Sequence, residues 1–368
     1  MSALQVSVPV SNAPAAIYRR LLIVRLGSMG DIIHTLPAAT SLRRAFPSAR
    51  IGWVVEERWA ELLCTLSTPR SGPRSPQRPL VDHVHSVNTK KWRHPLLSLQ
   101  NWQEIGAAFS ELRAAHYDAA VDFQGAARSA LIARLSGAPI VFGSAQPREN
   151  IASMFYTRQR IASGTHVVEQ NLSLAEALLD APAEFLPLEF PHDASAEREC
   201  ARRLKELKLE RFVLLNPGAG WGAKQWPVER YAEVAKQLSA RGLQSLVNFG
   251  PGESELAAAV ERDSGGAARA IACTITQLIA LTRRAVLFIG GDTGPMHLAA
   301  ALGIPVVAIF GPTNPQRNGP FRARSVVLRS PSSITSHARL EPAEAGMLEI
   351  TPSQVVAAAR QLLGDCHG

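Results

Sequence analysis

Residues 21–35 have the sequence LLIVRLGSMGDIIHT, in which an apolar run passes through a glycine-containing turn into an amphipathic stretch. The run at 21–24 predicts a buried β-strand, and the residues from Asp31 onward have helical spacing. The two glycines between them allow the backbone to turn tightly. The stretch therefore predicts a strand–loop–helix unit of an α/β fold.

The same alternation continues along the chain. Apolar runs at 51–57, 117–123 and 139–143 are separated by stretches of helical spacing, and a second series begins at 212. Such alternation indicates parallel sheets covered on both faces. The proline-rich stretch 180–195 has no clean period and marks a domain boundary. We expect two doubly wound domains facing a central cleft, at 1–185 and 186–350, and a final helix within 351–368.

Composition restricts the class of protein. The 368 residues are 46% hydrophobic and 19% charged, as in a folded chain. The formal charge of +8 favours an anionic partner, but no basic block interleaved with aromatic residues supports nucleic-acid binding. The four cysteines are far apart, which argues against a disulfide framework or a zinc site. With no apolar run of spanning length and no signal-peptide pattern, we expect a cytosolic protein.

The segment 68–79, TPRSGPRSPQRP, interrupts the alternation. Its prolines and glycines disfavour both helix and sheet, so it predicts a mobile surface loop. A basic flap near an anionic ligand is the functional alternative.

Three glycine-rich loops follow strands in the second half, at 216–227 (NPGAGWGAKQWP), 249–255 (FGPGESE) and 289–297 (IGGDTGPMH). Ligands of open α/β sheets lie beyond the carboxyl ends of the strands. Glycine lets backbone amides approach a phosphate, and a following helix start adds its dipole. These loops together predict a site for a phosphate-bearing ligand.

Individual residues in these loops have candidate roles. The amides of Thr293 and Gly294 begin a helix, and Lys224 offers a point charge to the same phosphates. Glu253 is placed to accept hydrogen bonds from ribose hydroxyls. Each has a structural alternative: a solvated lysine, or a carboxylate at a helix start. Asp292 is equally suited to bond its own loop, and His297 to an ordinary helical position.

The first half offers Asp31 at a helix start facing the same cleft. The motif is not GxGxxG, so a dehydrogenase is a poor fit. If the cleft holds an activated phosphate ester, Asp31 is placed to take a proton from an attacking hydroxyl. Stabilisation of the helix dipole is the structural alternative. His34 and Thr35, one turn further on, are candidates for holding the acceptor or a phosphate, with a structural role equally open.

Polar residues after two other strands are candidates for binding the acceptor. Gln124 and Arg128 follow one strand, and Lys90, Lys91 and Arg93 lie in TKKWRH at 89–94. A cationic cluster is usually a solvated face, but it suits an acceptor that carries carboxylates or phosphates.

The motifs RLGSMGDIIHTLPA, DFQGAARSAL, NPGAGWGAKQWP and GGDTGPMHLAAALGIPVVAIFGPTNP resemble those of the ADP-heptose:lipopolysaccharide heptosyltransferases, glycosyltransferase family 9, and most closely the type I enzymes. The resemblance implies a GT-B fold of two Rossmann-like domains, with the helix in 351–368 packing back on the first. It implies transfer of L-glycero-D-manno-heptose from ADP-heptose to Kdo of the lipopolysaccharide inner core, with inversion and without a required metal or other cofactor.

The resemblance also assigns residues. Asp31 matches the catalytic base, Lys224 a contact of the donor diphosphate, and Glu253 a ribose ligand, with Glu255 as the alternative. Asp292 matches a residue that holds the donor heptose. Its neighbours on the phosphate side match Thr293, Gly294 and His297. Cations that bind the acceptor match Lys90, Lys91 and Arg93. Two departures stand out: the loop before Lys224 lacks paired threonines, and the segment 68–79 has no counterpart.

The same resemblance implies that the partners are ADP-heptose and Kdo-lipid A. It also implies that the protein binds them as a monomer at the cytoplasmic face of the inner membrane. The surplus positive charge then serves attraction to anionic lipid. Three alternatives remain: a type II or III enzyme with another acceptor, a non-catalytic nucleotide-binding protein, and a nucleic-acid-binding protein.

Overall fold

The computed structural model describes residues 18–93, 99–179, 181–336 and 343–364. The first half forms a parallel sheet of six strands with the spatial order β3-β2-β1-β4-β5-β6. Its strands are β1 (Arg20–Val24), β2 (Arg50–Glu56), β3 (His83–Val87), β4 (Ala119–Asp122), β5 (Ile140–Ser144) and β6 (Arg158–Arg160). Its helices are α1 (Met29–Ala45), α2 (Leu99–Ala114), α3 (Ala127–Leu135) and α4 (Val167–Leu179).

The second half forms another parallel sheet of six strands, in the order β12-β11-β10-β7-β8-β9. Its strands are β7 (Phe212–Asn216), β8 (Gln244–Phe249), β9 (Ala268–Ala272), β10 (Leu287–Gly291), β11 (Val306–Phe310) and β12 (Ser325–Arg329). Its helices are α5 (Ala194–Glu206), α6 (Val228–Ser239), α7 (Ser254–Asp263), α8 (Ile275–Thr282), α9 (Gly294–Ala301), α10 (Pro315–Asn318), α11 (Ala345–Glu349) and α12 (Pro352–Leu363).

Both sheets have the same doubly wound strand order. In each half, the first three strands are added in one direction across the sheet, and the chain then crosses to the other side of the first strand to add the last three. This switch point lies between β1 and β4 in the first sheet and between β7 and β10 in the second. A crevice for ligands opens at such a switch point, beyond the carboxyl ends of the strands. The prediction of two doubly wound parallel domains is confirmed.

The central strands are apolar on both faces because helices cover both sides of each sheet. In β1, the side chains of Leu21, Leu22, Ile23 and Val24 are fully buried. Leu22 lies between Gly52 of β2 and Ala120 of β4 in the parallel register. One apolar cluster includes both Ile32 of α1 and Met296 of α9, so the two halves share buried surface.

The chain passes from one half to the other between α4 and α5. Helix α4 packs on α1, whereas α5 packs on α8. Helix α12 packs on α6 and on strands of the second sheet, and its Val355, Val356 and Leu362 belong to that core. The expectation that the helix in 351–368 returns to the first domain is therefore wrong. Its apolar face completes the cover of the second sheet; residues 365–368 lie outside the described part of the chain.

The segment 68–79 has no helix or regular strand, but it is anchored. Arg78 is 2% exposed and donates hydrogen bonds to the carbonyl oxygens of Pro69, Pro73 and Val81. The amide of His192 donates to the carbonyl of Pro76 at 2.8 Å, which ties the loop to the connection between the halves. The prediction of an irregular surface loop is confirmed, and the buried guanidinium of Arg78 holds it in place of a backbone ladder.

The anchored loop also lies away from the predicted ligand. Together with Arg283, Ala301 and Leu302 it lines a groove at the carboxyl-terminal end of α9. The predicted donor residues are at the opposite end of that helix, so the alternative of a basic flap is not supported.

No helix in the described part of the chain is long and apolar enough to cross a bilayer.

Candidate active site

Asp31 is held at the first turn of α1. Its Oδ2 accepts hydrogen bonds from the amide of Ser28 at 2.8 Å and from the Ser28 hydroxyl at 3.1 Å. Its Oδ1 forms an ion pair with Nη2 of Arg25 at 2.6 Å. The Arg25 side chain is 9% exposed and that of Asp31 is 38% exposed, so the carboxylate remains accessible. The serine therefore caps the helix while the arginine fixes the carboxylate from the strand side.

The surroundings of Asp31 keep it charged. Burial alone would raise its pKa, but the charge of Arg25 and the hydrogen bonds from Ser28 and Arg25 outweigh burial and lower the pKa. Arg25 also donates a hydrogen bond to the carbonyl of Phe123, just beyond β4. One guanidinium thus joins the ends of β1 and β4 at the switch point of the first sheet.

A second charged group lies at the switch point of the other sheet. Asp292 follows β10, and its Oδ2 pairs with Nζ of Lys224 at 2.6 Å, while its Oδ1 accepts from Nε2 of His297 at 3.1 Å. The side chains of Asp292 and Lys224 are 7% and 11% exposed. Burial would raise the pKa of Asp292, but His297 and Lys224 more than compensate and lower it. The Lys224 ammonium also lies 4.2 Å from the ring centroid of Trp221.

The elements that carry the two groups pack on each other, because α1, with Asp31 in its first turn, contacts α9, which begins just after Asp292. Nε2 of His34 lies 3.0 Å from Nδ1 of His297. A Cβ on Gly30 would come 2.6 Å from the His297 ring, and one on Gly294 would come 2.6 Å from Met29. Glycine at both positions lets the helices approach closely. The residue before Asp31 thus touches the imidazole that holds Asp292.

The hydrogen bonds define how this contact is protonated. The Asp292 carboxylate can only accept, so Nε2 of His297 carries a hydrogen and donates it to Asp292. Nδ1 of His297 and Nε2 of His34 share a second hydrogen bond. Burial, followed by the neighbouring His297 and His166, lowers the pKa of His34 well below its usual value. His34 is therefore neutral at pH 7, and its ring spans the two halves.

Glu253 points toward the predicted phosphate loop. Its carboxylate accepts from the amide of Gly250 at 3.0 Å, and a side chain on Gly218 would collide with it. Glu255 is exposed in the first turn of α7, which favours Glu253 over the alternative. Thr293 caps α9 and donates to Oδ1 of Asn216 at 3.0 Å. The loops after β7, β8 and β10 thus meet at one edge, as predicted.

The acceptor candidates divide into two sets. Arg128 donates a hydrogen bond to Thr89, which in turn donates to Glu56, so Arg128 lies beside the loop that carries the exposed Lys90 and Lys91. The side chain of Arg93 lies outside the described part of the chain. Gln124 is directed elsewhere: its side-chain oxygen accepts from the Leu26 amide at 2.9 Å, which fixes the loop before α1.

Three residues at the site were missed from the sequence. Arg25 follows an apolar strand directly, where a charged side chain at a carboxyl end is a signal for the site. Ser28 precedes Asp31 by three residues, the spacing of a capping box. Asn216 ends β7 at the start of the phosphate loop, but nothing in the sequence indicates that it bonds Thr293 across the sheet.

The sequence matches the model of a known protein family. Residues 105–344 match the model of glycosyltransferase family 9, the heptosyltransferases. The chain belongs to glycosyltransferase family 9. As a member, it is a glycosyltransferase of the GT-B fold, with Asp31 on one Rossmann-like domain and Asp292 on the other.

Individual relatives agree with the family. Lipopolysaccharide heptosyltransferase 1 of Pseudomonas aeruginosa is 32% identical over 84% of this glycosyltransferase and 84% of its own length. The solved structure of Escherichia coli heptosyltransferase WaaC with ADP is 27% identical, with a TM-score of 0.74, and covers 93% of this chain and 99% of that one. WaaC with ADP-2-deoxy-2-fluoro heptose has a TM-score of 0.70 at 27% identity, covering 95% and 100%.

Proposed function

We propose that this enzyme is a type I heptosyltransferase that moves L-glycero-D-manno-heptose from ADP-heptose to Kdo of the lipopolysaccharide inner core, with inversion. The similarity to a lipopolysaccharide heptosyltransferase 1 and to WaaC with ADP and with a fluorinated donor analogue supports it. One observation supports the mechanism: helix α1, which carries the charged and accessible Asp31, packs on helix α9, which carries His297, the partner of Asp292.

The donor is proposed to lie at the switch point of the second sheet. Glu253, over the Gly218 loop, suits the ribose hydroxyls, and Asp292 suits hydroxyls of the heptose. The diphosphate then meets the amides of Thr293 and Gly294 at the start of α9. With no paired threonines before Lys224, backbone amides of that loop supply the remaining phosphate contacts.

Lys224 and the start of α9 are proposed to stabilise the leaving group. An ammonium has three N–H donors, and Nζ of Lys224 donates to Oδ2 of Asp292 at 2.6 Å and to the carbonyl oxygen of Asp292 at 3.5 Å. Another donor can therefore reach a phosphate oxygen without breaking the ion pair. Charge that grows on the diphosphate as the glycosidic bond breaks is then met by groups already in place, the arrangement that lowers a barrier most.

Asp31 is proposed to be the general base. A carboxylate has about four acceptor positions, and Ser28 and Arg25 fill three of those on Asp31. A fourth remains for the acceptor hydroxyl. Because its pKa is lowered, Asp31 is a weak base, and proton transfer is expected late, when the attacking oxygen has become acidic.

The acceptor is proposed to bind on the first half. Lys90, Lys91 and Arg128 are cations near the carboxyl ends of β3 and β4, and they suit the carboxylates of Kdo. Arg93 stays a prediction on the same grounds, and Gln124 supports the loop that carries Asp31. Packing of α1 on α9 excludes water and so protects the donor from hydrolysis.

Association with an anionic membrane surface is part of the proposal. Leu99 and Trp102, at the start of α2, are 83% and 55% exposed, and α2 follows the loop that carries Lys90 and Lys91. Cations beside exposed apolar side chains suit a negatively charged bilayer. We propose a monomer that binds peripherally to the cytoplasmic leaflet; equal co-sedimentation with neutral and anionic vesicles would count against this.

Transfer assays test the proposal. The protein is incubated with ADP-heptose and either Kdo-lipid A or an acceptor that already carries heptose, without added Mg²⁺. We expect product only with the Kdo acceptor, and binding of ADP in preference to UDP and GDP. Product only with the heptosylated acceptor establishes the type II or III alternative. Absence of both transfer and ADP binding rejects the proposal.

A further inference from the structure

A cluster of two histidines and a glutamate lies outside the Asp31–Asp292 site. His83 and His85 alternate along the edge strand β3 and therefore share one face of the sheet. Glu111, near the end of α2, lies against both. Val84, between the histidines, packs in the core that contains α1, so the cluster is on the sheet face opposite Asp31.

The three side chains converge on one point. Nε2 of His83 and Nδ1 of His85 each lie 2.7 Å from the same oxygen, Oε1 of Glu111. The two imidazoles stack with their centroids 3.8 Å apart and their planes 28° from parallel. Two ring nitrogens and a carboxylate oxygen thus surround a common position, with all ligand atoms within 4.8 Å of one another.

This donor set matches the chemistry of borderline divalent metals. Two imidazoles and one carboxylate form a usual zinc site that leaves one position open. Ligand atoms of a tetrahedral zinc site are about 3.3 Å apart, from bond lengths of about 2.0–2.1 Å. To hold zinc, the two N–O distances of 2.7 Å lengthen by about 0.6 Å, and the N–N distance, which is at most 4.8 Å, shortens by at most about 1.5 Å. The Glu111 side chain is 52% exposed and that of His83 is 25% exposed, so both can move and a cation can enter from solvent.

The surroundings of His85 support the ligand role. Its Nε2 lies 2.7 Å from the hydroxyl of Tyr117, so this nitrogen can donate while Nδ1 offers its lone pair to a cation. The hydroxyl of Tyr117 packs over Gly52 of β2, where any side chain would collide with it.

We propose that His83, His85 and Glu111 bind a Zn²⁺-type divalent cation that joins helix α2 to edge strand β3. The loop with Lys90 and Lys91 connects these two elements, so the cation restrains both flanks of the acceptor candidates. The role is structural because the site is across the sheet from Asp31. The cysteines, whose wide spacing disfavours a zinc site among them, do not belong to this cluster.

Calorimetric titration tests the proposal. ZnCl₂ is added to the full-length protein, stripped of metal and free of nucleotide, and MgCl₂ is titrated in parallel. We expect one zinc per chain, no binding of Mg²⁺, and a rise in Tm with Zn²⁺. His83→Asn and Glu111→Gln, both at accessible positions, are expected to weaken the zinc affinity at least about tenfold and to abolish the Tm rise.

A histidine close in sequence provides the control. His116 is exposed, five residues beyond Glu111, at a positive φ that asparagine tolerates. His116→Asn should bind zinc like the wild type. Absence of stoichiometric zinc binding by the wild type overturns the proposal. Unchanged affinity in both cluster variants does so as well, because the zinc then lies elsewhere, for example on a cysteine.

Discussion

At the scale of single residues, the site depends on how two carboxylates are kept charged. Asp31 forms an ion pair with Arg25 and accepts hydrogen bonds from Ser28, and Asp292 is held between Lys224 and His297. Burial acts to raise both pKa values, and the neighbours lower them below the usual range. Removing one of these neighbours should therefore raise the pKa of its carboxylate while the fold is retained.

Arg25→Gln should shift the acidic limb of the rate profile. The base is active only when deprotonated, and loss of the Arg25 charge raises the pKa of Asp31. We expect the pH at which turnover is half lost to rise by about one unit. The pH dependence of kcat/KM measures this. Arg25→Lys, which retains the charge, should shift less; identical profiles for wild type and Arg25→Gln would remove Arg25 from the mechanism.

Lys224→Ala should weaken ADP binding. The variant loses the proposed phosphate contact and leaves Asp292 with His297 as its remaining described side-chain partner. We expect the Kd for ADP to rise about tenfold or more, as for loss of a charged hydrogen bond. Calorimetry with ADP measures it. Lys236→Ala, at an exposed position on α6, is the control, and equal affinity of both variants would refute the phosphate role.

At the scale of elements, the close approach of α1 and α9 aligns the two halves. Gly30→Ala places a methyl group against His297, which Asp292 and His34 both hold. We expect turnover to fall about tenfold or more, since displacement of about 1 Å disturbs the reacting geometry, while ADP affinity changes little. Steady-state kinetics and ADP calorimetry measure the two effects.

Another helical glycine is the matched control. Gly106 lies within α2, where an added Cβ meets nothing within 4 Å. Gly106→Ala should leave turnover unchanged and stabilise the protein by about 0.5–1 kcal/mol, because alanine favours the helix. If Gly30→Ala behaves like Gly106→Ala, the α1–α9 contact does not control the chemistry.

The elements also differ in how far their sequence determines them. Residues 21–24 and 306–310 are apolar on both faces, so their burial in a parallel sheet follows from composition. Helix α12 has an apolar face as well, but such a face does not identify its partner, and the prediction chose the wrong sheet. In the segment 68–79, composition predicted irregular backbone but not the burial of Arg78, which depends on carbonyls that only the folded loop brings together.

At the scale of the whole molecule, contact between the halves should depend on pH. His34 faces His297, Asp292, His166 and Arg25, and its pKa is lowered chiefly by burial, as is that of His166. In an open form these imidazoles return toward 6.5, so closure is complete above that pH and weakens as the pH falls below it. Below pH 6.5, each of these two imidazoles lowers the free energy that favours closure by up to about 1.4 kcal/mol per pH unit.

Small-angle scattering measures this dependence. We expect the radius of gyration to increase between pH 7.5 and 5.5. His34→Gln retains a side-chain N–H donor that does not titrate, and it should reduce the increase. A wild-type radius that does not change with pH would contradict the role of the interdomain histidines.

The sequence predicted the site in part, for a physical reason. Asp31, Lys224 and Asp292 lie in glycine-containing loops after strands, and parallel strands bring such loops to one edge. The pairing of His34 with His297 could not be predicted, because the residues are 263 positions apart and on different domains. The order of strands, rather than any local motif, places them together.

Replacement of Asp31 by asparagine tests the central claim most directly. The amide preserves shape but cannot accept a proton from the acceptor hydroxyl. With ADP-heptose and Kdo-lipid A, we expect kcat to fall about 100-fold or more while the Kd for ADP stays within about twofold. Turnover near the wild-type value, with ADP binding intact, would show that Asp31 is not the base and that the two halves do not act across their gap as proposed.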